Sequence, residues 1–141
     1  MLRDFILAIL QTQSLYRRKI HEKMRKNNID LTFEMLLVLR SLHYSGIVNQ
    51  QELANRTYKD KSSLSYLINN LENRDLVKRV EDPQDKRSKK IVMTEHGELL
   101  FKTIQHIIEN VYEEMSQNQN LSHIQSCIDY MNEFKDNLTE E

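Results

Sequence analysis

Apolar side chains recur every three or four residues along most of the chain, as they do on one face of an α-helix. This spacing predicts a first helix over about Leu2–Arg25. A second helix is predicted to begin after Thr32, a suitable N-cap, and to end at Gly46. Two further helices are predicted over about residues 95–115 and from about Ser122 onward. The pattern therefore indicates a mainly helical protein.

Two shorter helices are predicted in the middle of the chain. Asn49 is placed to cap the first of them, with Glu52 at the reciprocal position of a capping box, and Asp60 is placed to cap the second. Two helices joined by a tight turn form a helix-turn-helix. The second helix has an apolar face and an opposite face of hydrogen-bonding groups, which consists of Lys61, Ser62, Ser65, Tyr66 and Asn69.

The period changes after Asp75, where two short runs rich in β-branched residues, "LVKRVE" and "KKIVMT", flank the segment "DPQDKRS". Asp and Pro in that segment are typical turn residues, so we predict a β-hairpin with a charged tip. The hairpin carries four basic residues close together, namely Lys86, Arg87, Lys89 and Lys90.

Composition agrees with a helical fold, because only two Gly and one Pro interrupt 141 residues, a length that suits one compact domain. The apolar part of the amino terminus is too short to span a bilayer and lacks the features of a secretory signal. The single cysteine, Cys127, has no partner for an intramolecular disulfide, and we expect it to be a buried, inert thiol. We therefore expect a cytoplasmic protein with no contact to a membrane.

The formal net charge of −1 hides a division along the chain. Residues 1–94 carry 18 Lys and Arg against 11 Asp and Glu, whereas residues 95–141 carry 2 against 10. Such asymmetry suggests that one end of the molecule faces a polyanion and that the other is held away from it. The alternative is that both regions are ordinary solvated helix faces.

The stretch "DPQDKRSKKIVMTEHG" resembles the wing of MarR-type transcription regulators, through Asp85, Arg87, Met93, Thr94 and Gly97. The preceding stretch, "QELANRTYKDKSSLSYLINNLENRDLVKR", is similar to the two DNA-binding helices and the first wing strand of that family. The resemblance covers about residues 32–97. Met93 stands where the family usually has Leu, and Asp75 stands where it usually has Gly. Asp tolerates a left-handed backbone less freely than Gly, so we expect the chain to leave the second helix slightly differently.

The resemblance implies a winged helix-turn-helix at about residues 32–97 and dimerisation helices at about 1–25 and 98–141. It also implies a homodimeric DNA-binding regulator without a cofactor, which acts as a repressor and is released by a small aromatic or amphipathic effector. Arg87 would enter the minor groove, with its guanidinium held by Asp85. The implied DNA contacts are Lys59, Lys61, Ser62, Ser65, Tyr66, Asn69, Asp85, Lys86, Arg87, Lys89 and Lys90.

The terminal helices carry more apolar surface than one chain could readily hide, which favours a two-fold dimer. The apolar positions assigned to this dimer are Phe5, Ile9, Tyr16, Ile20, Ile107, Val111, Met115, Ile124, Ile128 and Met131. Such a dimer would recognise an inverted repeat with half-sites about 10 base pairs apart. Asn69 is the one bidentate base reader of the polar face and would favour adenine, so we expect an A·T-rich site.

Other functions have less support from the residues. The sequence contains no phosphate loop, no nucleophile motif and no carboxylate pair in a catalytic context, so nothing in it indicates an enzyme. His123 and Cys127 are four residues apart, but two ligands do not make a zinc site. The main alternative is a winged-helix module that binds protein instead of DNA, although the basic hairpin favours a phosphate-binding role.

Overall fold

The computed structural model describes residues 1–139, which form six α-helices and a small antiparallel sheet. The predicted helical fold with one hairpin is confirmed. The chain divides into two compact units, one comprising Met1–Ile108 and one beginning at Glu109. In chain order the elements are α1 (Leu2–Lys26), α2 (Phe33–Ser45), β1 (Val48–Asn49), α3 (Gln50–Arg56), α4 (Lys61–Asn73), β2 (Val77–Glu81), β3 (Lys89–Met93), α5 (Glu95–Ser116) and α6 (Leu121–Thr139).

Local side-chain caps set the starts of the three central helices. Thr32, Asn49 and Asp60 each accept a hydrogen bond from the backbone amide three residues further on, at 3.1, 2.7 and 2.8 Å. All three predicted caps are confirmed, and each satisfies an amide that the helix leaves unpaired. The reciprocal half of the capping box is different, because the Glu52 carboxylate binds Arg56 one turn further along α3.

The core of the first unit is built around α2, which buries apolar residues against α3, α4 and β3. The inward face of α4 is buried at the four apolar positions predicted for it, which are Leu64, Leu67, Ile68 and Leu71. Burial of one such side chain contributes about 1.5–3 kcal/mol. The core therefore fixes which face of α4 is turned outward.

The sheet has the strand order β1-β3-β2. β2 and β3 form the predicted hairpin, here called the wing (residues 77–93), in which Arg79 pairs with Ile91. β1 adds a third strand, with Val48 opposite Ile91. The sequence did not predict β1, because two residues are too short to show an alternating pattern.

The wing is joined to the helices on either side of it at one crowded point. Asp75 has a φ of +56°, a left-handed backbone that Asp tolerates better than most residues. The Thr94 hydroxyl donates to the Asp75 carbonyl at 2.5 Å and accepts from the Gly97 amide at 2.9 Å. A Cβ at Gly97 would lie 2.0 Å from the carbonyl oxygen of Leu76.

Some apolar positions assigned to a dimer lie in the core of the single chain. Ile20, Ile107 and Val111 are buried without a second copy, so the other seven positions are the ones that remain accessible. Cys127 is exposed and not buried as expected, because α6 has no buried residue. Within residues 1–139, no helix is long and apolar enough to cross a membrane.

We predict that Gly97→Ala destabilises the protein by about 3 kcal/mol. The new methyl group would clash with the backbone carbonyl of Leu76, which cannot move aside as easily as a flexible side chain could. Urea denaturation followed by circular dichroism measures the change in unfolding free energy. His96→Ala is the control, since His96 is the exposed neighbour on the same helix. Equal stability of the two variants would contradict the tight approach to Leu76.

Candidate nucleic-acid interface

The outward face of α4 presents the polar groups that the sequence placed there. Lys61, Ser62 and Asn69 are exposed, Ser65 is half-buried, and Tyr66 is 69% exposed. A helix of this size fits a DNA major groove, where hydroxyl and amide groups can reach base edges. The core beneath α4 thus leaves a polar surface of suitable shape for that contact.

Asp60 defines where α4 begins. Its carboxylate accepts from both the backbone amide and the hydroxyl of Ser63, each at 2.8 Å. The hydrogen bond from the Ser63 amide, followed by that from the Ser63 hydroxyl, lowers the pKa of Asp60 from its usual value. Both the backbone and the hydroxyl of Ser63 are therefore committed to the cap.

Lys59, which was expected to contact phosphate, is part of an internal ion pair. Its ammonium binds the carboxylate of Glu34 on α2. Arg17 on α1 binds the other oxygen of Glu34 at 2.6 Å and lies over the ring of Phe33, 4.9 Å from its centroid. The Lys59 charge is thus directed toward the helices beneath the turn, and three segments of the first unit meet at Glu34.

The ionisation of Glu34 reflects these two partners. Partial burial disfavours the carboxylate, but hydrogen bonds and charges from Lys59 and Arg17 outweigh that effect. The pKa of Glu34 is consequently lower than its usual value of 4.5. The carboxylate stays charged across the neutral range and holds both cations.

Asn69 is engaged by the wing. The Arg79 guanidinium on β2 donates to the side-chain oxygen of Asn69 and to the carboxylate of Glu72, both at 2.8 Å. These contacts join the carboxy-terminal half of α4 to the first strand of the wing. Bidentate recognition of adenine needs the Asn69 oxygen as an acceptor, and that oxygen already accepts from Arg79.

The tip of the wing is shaped by aspartates. The side chain of Asp85 accepts from the backbone amide of Arg87 at 3.0 Å, and not from its guanidinium as expected. The side chain of Asp82 likewise accepts from the amide of Gln84 at 3.0 Å. These are Asx-type turns, so Asp85 orders the loop that carries Arg87 and leaves the guanidinium outside that bond.

The basic residues of the wing differ in what they contact. The Lys90 ammonium lies 3.8 Å from the carboxylate of Asp82, across the hairpin. Lys86, Arg87 and Lys89 are exposed. These three side chains form the accessible cationic surface of the wing tip.

Sequence reasoning missed two residues, Arg79 and Tyr58. Arg79 holds Asn69 and Glu72, a role visible only once β2 is placed against α4. Tyr58, in the turn before α4, is 88% exposed and has a φ of +53°, which is unusual for a bulky residue. A local signal existed only for Tyr58, as a large aromatic side chain within a predicted tight turn.

Comparison with known proteins agrees with this geometry. The model of the MarR family matches residues 31–89. The HTH-type transcriptional regulator SarZ of Staphylococcus haemolyticus is 28% identical over 90 residues, which are 64% of this chain and 61% of SarZ. The match thus spans about three fifths of that relative's length.

Solved structures share the fold over nearly the whole chain. A MarR mutant from E. coli, complexed with operator DNA, has a TM-score of 0.82 at 18% identity and covers 90% of both chains. NadR in complex with 4-hydroxyphenylacetate has a TM-score of 0.75 at 22% identity, covering 91% of this chain and 89% of its own. The fold is therefore the winged helix-turn-helix expected from the sequence.

We predict that Glu34→Gln weakens the dependence of stability on pH. A carboxylate with a lowered pKa in the folded state stabilises the protein above its unfolded pKa and loses that contribution as the pH falls through the folded value. Urea denaturation at pH 7 and pH 4 should show a smaller loss of unfolding free energy in the variant than in the wild type. Glu22→Gln, on the exposed surface of α1, is the control. A loss as large in Glu34→Gln as in the wild type would contradict the role of this ion pair.

Proposed function

We propose, from the match of the MarR-family model to residues 31–89, that the protein is a DNA-binding transcription regulator that acts as a homodimer. One observation carries the proposal. The exposed polar face of α4 and the exposed cations of the wing belong to one unit and are joined by the bonds of Arg79. Such a unit presents a helix for the major groove and a basic hairpin for the flanking minor groove.

The distribution of charge supports this orientation on DNA. Phosphate contacts supply most of the sequence-independent affinity of DNA-binding proteins. The basic excess lies in residues 1–94, which include α4 and the wing, whereas the acidic excess lies in residues 95–141. The segments proposed to contact DNA therefore belong to the basic part of the chain.

The apolar surface of α6 supports the homodimer. In the single chain α6 has no buried residue, and Ile124 and Ile128 are 41% and 48% exposed, one turn apart. Met131 continues the same stripe. An exposed apolar stripe of this kind favours an interface, and a second copy would bury it. Two recognition helices related by a two-fold axis would then contact an inverted repeat about 10 base pairs apart.

Regulation by a small molecule is part of the proposal. A cleft of about 380 Å³ lies between α2 and the turn before α4, and its lining residues include Tyr44, Arg56 and Tyr58. Its volume lies within the range of small-molecule sites. Exposed aromatic rings beside a guanidinium suit an aromatic or amphipathic effector, whose binding beside α4 would release the operator and make the protein a repressor.

We predict that Arg87→Ala lowers operator affinity more than Lys89→Ala, because the guanidinium is the group suited to a narrow minor groove. Each lost phosphate contact should also reduce the slope of log affinity against log salt by about 0.9. Fluorescence anisotropy with the inverted repeat flanking the gene, measured at several salt concentrations, gives both quantities.

The matched control is Lys102→Ala, which removes one exposed positive charge from α5, outside the wing. Its affinity and salt slope should stay close to those of the wild type. Unchanged affinity of a folded Arg87→Ala protein would refute the role of the wing. If the wild-type protein binds no DNA, the alternative of a protein-interaction module is favoured.

We predict that Ile128→Glu converts the dimer to monomers, because a buried charge without a partner is strongly unfavourable. Sedimentation velocity at micromolar concentration distinguishes the two states. Gln125→Glu on the same helix is the control and should remain dimeric. A wild-type protein that sediments as a monomer would refute the proposed homodimer.

A further inference from the structure

Arg79 lies at the centre of a small network between β2 and α4. Its Nη1 donates to Glu72 Oε1 and its Nη2 donates to Asn69 Oδ1, both at 2.8 Å. The backbone amide of Arg79 also donates to Glu72 Oε2, at 3.2 Å. The Arg79 side chain is only 17% exposed. Because Glu72 holds both the backbone and the guanidinium, the group that faces Asn69 is fixed in place.

The bond to Arg79 changes what Asn69 can recognise. A free carboxamide pairs with adenine by donating to N7 and accepting from the N6 amino group at the same time. Here Arg79 occupies a lone pair of Oδ1 and turns that oxygen toward β2. The second lone pair belongs to the same oxygen, which Arg79 holds against β2, so the Nδ2 hydrogens are the groups best placed for a base. Asn69 is therefore suited to an edge that only accepts.

We propose that Arg79 is a specificity-determining residue that restricts Asn69 to hydrogen-bond donation and thereby selects guanine or thymine over adenine. Guanine offers N7 and O6 as acceptors and thymine offers O4, whereas adenine places an amino group beside N7. This inference rests on the proposed DNA-binding function. It replaces the expectation, drawn from the side chain of Asn69 alone, that this position favours adenine.

A bond to a guanidinium is more persistent than one between neutral groups. Charge-assisted hydrogen bonds are about twice as strong as neutral ones. An adenine amino group that displaced Arg79 from Oδ1 would exchange such a bond for a neutral one and leave a largely buried guanidinium with a donor unpaired. The network therefore persists when a base approaches Asn69.

Selection of binding sequences from a random DNA pool tests the inference, using the full-length wild type and three variants. Asn69→Leu identifies the base position that Asn69 contacts, as the one whose preference is lost. At that position the wild type should select guanine or thymine. Arg79→Leu, which frees the Asn69 oxygen, should shift the preference toward adenine by about tenfold or more, the scale of a bidentate contact.

Lys78→Leu is the matched control, because it removes a positive charge from the exposed neighbouring position of β2. It should weaken binding to all sequences without altering the selected base. If Arg79→Leu does not fold by circular dichroism, Arg79→Lys serves instead, since a lysine lacks the planar fork that holds both partners.

Three results would overturn the inference: adenine selected by the wild type at that position, no preference lost in Asn69→Leu, or the same base selected with and without Arg79. Each leaves the proposed DNA-binding function intact. Selection of no sequence at all by the wild type would instead refute that function, so the two failures are distinguishable.

Discussion

The placement of the wing depends on the close approach of Gly97 to the carbonyl of Leu76. Leu76 precedes β2 and Gly97 lies in the first turn of α5, so this approach brings the base of the wing and the start of α5 together. Thr94 secures it with its hydroxyl on the Asp75 carbonyl and its amide on the Leu76 carbonyl. A side chain at position 97 would force these backbones apart.

Two carboxylates sort the basic residues of the first unit into internal and accessible groups. Glu34 binds Arg17 and Lys59, and Glu72 binds Arg79. Partly exposed ion pairs of this kind contribute little stability individually, so their main effect is to position side chains. The cations of the wing tip remain accessible because the nearby aspartates bind backbone amides and Lys90 instead.

This sorting gives α4 two distinct halves. Its first turn is defined by the Asp60 cap, which leaves Ser62 free to face outward. Its second half is tied to β2 through Asn69 and Glu72, so a displacement of the wing would move the outward face of α4. The outward face of α4 and the wing are thus mechanically linked through Arg79.

Features that depend on neighbours in the chain were predictable from the sequence. The Asp60 cap involves residues three apart, and the turn between β2 and β3 uses the local preferences of Asp and Pro. The motif around Thr94 and Gly97 also indicated the wing, although the sequence did not reveal the close contact that requires Gly97. Asp85 was placed correctly in the wing tip, but its bonding partner was the Arg87 amide and not the guanidinium.

By itself, the sequence determined the helical periodicity, the caps, the hairpin and the polar face of α4, because each follows from interactions within a few residues. Only the tertiary structure decided that Lys59 faces Glu34, that Arg79 holds Asn69, and that β1 pairs with β3. Those contacts join residues that folding brings together from separate elements. Their partners depend on how the core orients each helix and strand, a choice that the local pattern of residues does not encode.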